Sequence, residues 1–161
     1  ENFYFGMWVA LEDATLRNGT LQVIDGGHKV AVDQYAIGAS FYADPLDIPK
    51  TDDAMWNAYQ AAGVEHCKAH GLTAHHVDVK KGQTLIWHPL LPHGGGLVET
   101  RGLTRNSIVF HTVPLGTPVY RQDVFFNRDA ARVTKRSLFK YRTMPNGRSF
   151  ADFGGVKLRG R

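Results

Sequence analysis

The sequence predicts an all-β protein with one inserted helix, its strands closed or sandwiched as antiparallel sheet in the manner of a jelly roll. Three observations carry that expectation. Short β-patterned segments recur along residues 7–126, bounded by Gly, Pro and Asn-Gly punctuation. A single stretch, from Asp52 to about Gly71, spaces Met55, Tyr59, Ala62 and His66 at near-helical intervals. Strands therefore do not alternate with helices, which disfavours a parallel sheet.

Residues 7–11 alternate, with Met7, Val9 and Leu11 on one side and Trp8, Ala10 and Glu12 on the other, as a strand with two differently occupied faces requires. Asn18-Gly19 is a turn signal, and residues 20–24 restore a β pattern before Asp25-Gly26-Gly27-His28. Residues 29–50, with Pro45 and Pro49, show no sustained period and read as a long connection covering a mouth or a lid. Asp52 caps the helix, whose middle is weakened by Gly63. Residues 73–79 form the next strand, Lys81-Gly82 a turn, and residues 84–88 a central buried strand. A glycine loop at 94–96 and strands at 104–113 and 117–126 complete the set, with residues 138–141 an edge strand or helix in a polar tail.

A chain of 161 residues suits one domain, 1–161, and can bury a real core. With 43% hydrophobic and 21% charged residues, the composition is neither disordered nor membrane-like. The net charge of +4 gathers in a basic extension, 127–161, expected to pack on the sheet. There Arg128, Arg132, Lys135, Arg136, Lys140, Arg142, Arg148, Lys157, Arg159 and Arg161 outnumber the acids. Its aromatics do not repeat as in a nucleic-acid module, so a solvated face, or an inter-subunit surface in a homo-oligomer, is the plainer reading. The lone Cys67 rules out an intrachain disulfide and points to a reducing, cytoplasmic compartment. No signal peptide or long apolar run is present, so no membrane partner is expected.

The chemistry concentrates in residues 85–96 and 103–111. A buried strand runs into a Pro-marked turn, with His93 at its exit and three glycines after it; Arg105, Ser107, Val109 and His111 then share one period-two side. A metal-ligating histidine followed by a cationic carboxylate clamp has this form, and so do two ordinary strands joined by a glycine turn. The remaining candidates have plainer readings. His28, His88 and His111 suit hydrogen-bonded loop or core roles as well as pocket roles. His66, Cys67 and His70 have ligand-like spacing but no further cluster. Asp13 and Asn18 suit turn fixation, and Trp56 and Trp87 suit core or pocket wall.

Several ordered blocks together resemble the phytanoyl-CoA dioxygenase family. They are Trp8-Val9-Ala10-Leu11-Glu12-Asp13-Ala14-Thr15, Asn18-Gly19-Thr20-Leu21, Gly26-Gly27-His28-Lys29, the run from Gly82-Gln83-Thr84 through Trp87-His88-Pro89 to Pro92-His93-Gly94-Gly95-Gly96, and Arg105-Asn106-Ser107. The likeness covers about residues 7–113 and weakens toward 126. It implies a cupin-like double-stranded β-helix, Fe(II) held by two histidines and a carboxylate, 2-oxoglutarate as co-substrate, and oxygen-dependent hydroxylation of a small organic substrate. Carried over by position, His93 matches an iron-ligating histidine, Arg105 the arginine that pairs with the distal carboxylate of 2-oxoglutarate, Ser107 the hydroxyl residue beside it, and Trp8 an aromatic lining the co-substrate region. Gly95 falls where some relatives place a serine.

A facial triad leaves metal positions open for a keto acid and oxygen, and a guanidinium fork suits a far carboxylate. The family's His-x-Asp pair is expected just upstream of the Trp8 strand, and Glu1 begins too late to include it. The start without Met reads as a fragment or processed chain, loosely like a tag-cleavage scar. His76-Val77-Asp78 is a weaker substitute pair, and Asp13 a conceivable carboxylate. The alternatives are a catalytically inactive jelly-roll fragment serving binding or assembly, and a cupin-type metal enzyme of different chemistry.

Overall fold

The computed structural model describes residues 4–114, 117–132 and 140–152. It divides into two compact units, one built from Glu1–Val32 with Asn57–Thr117, the other from Asp33–Trp56 with Pro118–Arg161. Among the described residues no helix is long and apolar enough to cross a membrane.

The first unit holds two antiparallel sheets, the arrangement expected of a cupin-like fold. One has the order β4-β1-β6, from Thr84–Trp87, Phe5–Ala10 and Ser107–Thr112. The other has the order β3-β2-β5, from His75–Val77, Leu21–Val23 and His93–Gly95. Strand β1 alternates as its sequence demands: Gly6, Trp8 and Ala10 are buried, and Met7 and Val9 are half-buried. The register sets Trp8 between Leu85 and Val109, Gly6 between Trp87 and His111, and Ala10 opposite Ser107. Trp8, Ala10, Ala14, Leu21, Val79 and Trp87 form the core.

The strand expected to be central, residues 84–88, lies at the sheet edge, and β1 takes the centre. Its outward Ile86 is 61% exposed, because only the Leu85 and Trp87 side meets the core. The glycines at 94–96 also differ from expectation. Gly94 and Gly95 are strand residues paired with β2, and Gly96 N–H donates to the Thr20 carbonyl at 2.7 Å. A Cβ on Gly96 would stand 2.8 Å from that carbonyl oxygen, so the bare backbone permits the close approach.

Three α-helices occur among the described residues where one was expected. The expected one is α2, Asp53–Ala69. Asp52 caps it by accepting from the Met55 N–H at 3.0 Å, and Gly71, with φ 73°, follows its end. Residues 29–50 are not simply a connection: α1, Gln34–Phe41, begins at Asp33, whose carboxylate accepts from the Tyr35 and Ala36 N–H groups. Residues 117–126 end in a short helix, α3, Gln122–Phe126, rather than a strand. In this second unit Phe126 is 1% exposed and meets Trp56 and Phe125 edge-to-face, and Gly38 of α1 lies against the Phe126 backbone. Within the polar tail β7, Lys140–Thr143, pairs with β8, Ser149–Asp152. The expected element at 138–141 falls partly outside the described residues.

Candidate active site

Strand register decides which candidate side chains share a face. Successive strand residues alternate, so β5 places His93 and Gly95 on one side together with Val23 and Leu21 of β2 and His75 and Val77 of β3. Leu21 packs in the core with Trp8 and Trp87, which makes this the inward face. Gln22, His76 and Gly94 lie on the other.

His93 is exposed and held at two points. Its Nδ1 lies 2.8 Å from the Leu91 carbonyl, an acceptor, so Nδ1 carries the proton and donates. The Nε2 lone pair then has no partner among the described residues. This is the tautomer that a metal-ligating imidazole presents, with the far ring nitrogen tied to a carbonyl. The Trp87 ring lies against His93 with centroids 4.6 Å apart, and Trp87 is itself core, so the imidazole rests on a fixed wall.

Arg105 precedes β6 and reaches across to β5 and the turn before β2. Its Nη1 donates to the Gly19 carbonyl. A Cβ on Gly95 would stand 2.9 Å from Nη1 and 3.0 Å from Nη2, so the guanidinium lies directly against the β5 backbone. Its Nε is buried without a hydrogen-bond partner, a donor short of an acceptor. The turn carrying Gly19 is anchored by buried Asn18, whose Nδ2 donates to the Asp13 and Thr104 carbonyls at 2.8 Å each and whose Oδ1 accepts from the Thr15 N–H at 2.7 Å. Thr104 directly precedes Arg105, so the same amide steadies both sides of the guanidinium seat.

The structure thus brings His93 and Arg105 to one strand, with Gly95 two residues from His93. Trp8 is 2% exposed and belongs to the core packing. Ser107 sits on the Trp8 face of β6, opposite Ala10. His76 is occupied elsewhere, its Nε2 2.9 Å from the Gln22 amide on the face away from His93, and Asp78 follows the end of β3. Asp13 fixes a turn, accepting from the Lys81 N–H and the Lys80 ammonium; the Lys81 bond and then Lys80 hold its carboxyl below the ordinary range. His66 Nδ1 meets the Ala31 carbonyl, Cys67 is buried, and His70 Nδ1 bonds the His66 carbonyl. His28 and His88 lie with ring centroids 5.0 Å apart. Among the described residues no group of three His, Cys, Asp or Glu stands close enough to hold a metal ion.

Sequence reading did not find the contacts that hold the site. The Leu91 carbonyl, the Gly19 carbonyl and the Trp87–His93 contact join residues that share no period. The Asn18-Gly19 turn signal was the one visible trace.

An imidazole with its Nδ1 tied to a carbonyl and a guanidinium lying against a glycine strand, set on two antiparallel sheets, define the class as a cupin-like β domain. The chain belongs to the phytanoyl-CoA dioxygenase family, whose model, described as Phytanoyl-CoA dioxygenase (PhyH), matches residues 2–107, well over half of its length. It is similar to the peroxisomal phytanoyl-CoA dioxygenase of Homo sapiens, 31% identical over 104 residues, which is 65% of this chain and 26% of that protein. A probable phytanoyl-CoA dioxygenase of Caenorhabditis elegans is 31% identical over 104 residues and covered to 28%, and the Mus musculus peroxisomal enzyme is 32% identical and covered to 26%. The matched stretch spans about a quarter of the length of these relatives.

Proposed function

We propose that this chain carries the co-substrate face of a non-haem Fe(II)- and 2-oxoglutarate-dependent dioxygenase-like site, on a double-stranded β-helix scaffold, for hydroxylation of a small organic substrate with molecular oxygen. The observation that carries the reading is the pairing on β5 of His93, with its Nε2 uncommitted, and the Arg105 guanidinium seated at Gly95.

The residues fit the dicarboxylate well. Arg105 is a permanent cation in a glycine-walled seat with an unpartnered buried Nε–H, and a carboxylate oxygen supplies the acceptor it lacks. For the metal the fit is one arm. His93 would bind iron through Nε2 while the Leu91 carbonyl orients the ring, but the described residues assemble no three-ligand group. When bound, the iron centre supplies oxygen activation coupled to oxidative decarboxylation of the keto acid. The chain's own residues bind and orient: Arg105 holds the distal carboxylate, and Trp87 fixes the His93 ring plane. A reducing, cytoplasmic setting belongs to the same reading and is supported by the free, buried Cys67.

One observation favours a second reading. With no three-ligand group beside His93 among the described residues, the domain also suits a catalytically silent binding module that retains the anion seat.

Anaerobic calorimetric titration of 2-oxoglutarate into the chain, with and without Fe(II), separates the two. Iron-dependent binding near one per chain supports the dioxygenase reading, and iron-independent binding supports the module. No binding by folded protein under either condition refutes both. Arg105→Ala should weaken 2-oxoglutarate binding on the order of 10- to 100-fold, the loss expected for hydrogen bonds to a charged group, while leaving metal binding unchanged.

A further inference from the structure

The second compact unit holds a cavity of about 190 Å³, lined by none of the residues around His93 and Arg105. Its floor is Phe126 and Ile48, both buried, and one wall is the face of α1 that bears Ala36 and Ala39. The cavity follows from side-chain size. Gly38, beside that face, lets α1 come down on α3, since a Cβ there would stand 2.8 Å from the Phe126 carbonyl oxygen. With the helix fixed at that height, the methyl groups of Ala36 and Ala39 are too short to fill the space over Phe126 and Ile48.

Arg128 stands at the mouth. It follows the end of α3, is exposed, and its guanidinium carbon lies 5.9 Å from the centre of the Tyr35 ring, which also lines the cavity. No carboxylate pairs with it among the described residues. The acids on the neighbouring loops are committed: Asp129 Oδ2 faces Arg132 Nε at 3.5 Å, Asp44 accepts from the Leu46 N–H, and Asp33 caps α1. The Tyr42 hydroxyl, on another wall, is taken as well, donating to Asp52. Buried Asn127 fixes the place of the cation. Its Nδ2 donates to the Pro45 carbonyl at 3.0 Å and its Oδ1 accepts from the Asp129 N–H at 2.8 Å, so the residues on either side of Arg128 are pinned to the rim.

We propose that this cavity is a binding site for a small monocarboxylate, its apolar body resting on Phe126 and Ile48 and its carboxylate meeting the Arg128 guanidinium. A dry apolar cavity of about 150 Å³ takes one benzene ring, so one of about 190 Å³ admits a ring with one or two further carbons. Walls of alanine, proline, isoleucine and phenylalanine side chains offer a polar body no partner, and the positive rim selects an acid over an amine or an alcohol. Guanidinium and carboxylate match in geometry as well as in sign. A dicarboxylate such as 2-oxoglutarate is disfavoured, because its second charge would be buried against Phe126.

The test titrates phenylacetate into the full chain, with 2-phenylethanol as its uncharged counterpart, and follows the indole N–H of Trp56 in ¹⁵N spectra. Trp56 packs edge-to-face on Phe126 with centroids 6.1 Å apart, so a ring seated on Phe126 shifts that resonance, which Trp56→Phe identifies. Phenylacetate should give a saturable shift with a Kd on the order of 1 mM, and the alcohol should bind about fivefold weaker. Arg128→Gln should bring the acid down to the affinity of the alcohol and leave the alcohol as it was. Ala39→Leu should abolish binding of both at a melting temperature no lower than the parent's, because its side chain fills the cavity.

The proposal is overturned by no saturable shift with phenylacetate, by equal affinity for acid and alcohol in the parent, or by an Arg128→Gln variant that keeps the preference for the acid. A folded Ala39→Leu variant that binds as the parent does also overturns it. Arg128→Gln alters only an exposed side chain, so its outcome stands even where Ala39→Leu unfolds the unit. Loss of phenylacetate binding in Arg105→Ala would assign the carboxylate to the other guanidinium and overturn the proposal too.

Discussion

Asn18→Asp changes one amide nitrogen for an oxygen and is expected to cost far more than its size suggests. Asn18 is 8% exposed, and its Nδ2 donates to two backbone carbonyls, Asp13 and Thr104, at 2.8 Å each. Aspartate keeps the acceptor for the Thr15 N–H but turns both donor bonds into oxygen–oxygen contacts. Two lost bonds, each turned into a repulsive contact between a carbonyl oxygen and a carboxylate oxygen, at about 2 kcal/mol each, give roughly 4 kcal/mol. Asn18→Ala loses three bonds without adding a charge and should cost about 3 kcal/mol. With a urea slope of about 2 kcal/mol per M, the midpoints fall by about 2 M and about 1.5 M. The assay is urea unfolding followed by tryptophan fluorescence in a Trp56→Phe background, so that Trp8 and Trp87 report the sheet-bearing unit. Because Thr104 adjoins Arg105, Asn18→Asp should also weaken 2-oxoglutarate binding below its melting temperature. An aspartate variant within about 1 kcal/mol of the parent, or an alanine variant less stable than the aspartate one, would refute the hydrogen-bond argument.

Two further outcomes follow from the same geometry. The Asp52 carboxyl is held below its ordinary range, first by the Tyr42 hydroxyl at 2.5 Å and then by the Met55 N–H, and Asp13 is held down by the Lys81 N–H and Lys80. Stability from both is complete above the unfolded carboxylate value, about 4, and is lost as pH falls through the lower folded values. Melting temperature should therefore decline on acidification below about pH 4, less steeply in Asp52→Asn; superimposable acid limbs would contradict the assignment. Gly6→Ala would place a Cβ 2.5 Å from Cζ2 and 2.6 Å from Nε1 of Trp87. It should cost about 1–3 kcal/mol by overpacking and alter the near-ultraviolet dichroism of Trp87; an unchanged spectrum would show that the ring has room to move.

Legibility in the sequence tracked the range of the interaction. Helix α2 was readable because Asp52, the Met55-Tyr59-Ala62-His66 spacing and Gly71 all act within a few residues. Helix α1 was not, since Gln34–Phe41 is apolar nearly all round and leaves no polar face to mark a period. Helix α3 is five residues long, too short for periodicity to separate from a strand, and the packing of Phe126 decides it. The glycines after His93 look the same in a turn and in a strand that must approach an arginine; only the pairing with β2 distinguishes them.

Sequence alone determined the local and the chemical: an alternating β1, a capped α2, the Asn18-Gly19 turn, and the ordered blocks that mark the family and single out His93 and Arg105. Tertiary structure decided what those residues face. It put β1 at the centre of its sheet and β4 at the edge, turned His93 inward and His76 outward, and laid the Arg105 guanidinium on Gly95, ten residues earlier in the chain. The reason is that strand period follows from backbone alternation within a segment, whereas strand order and register follow from which faces can be buried together, and that depends on segments far apart in the chain.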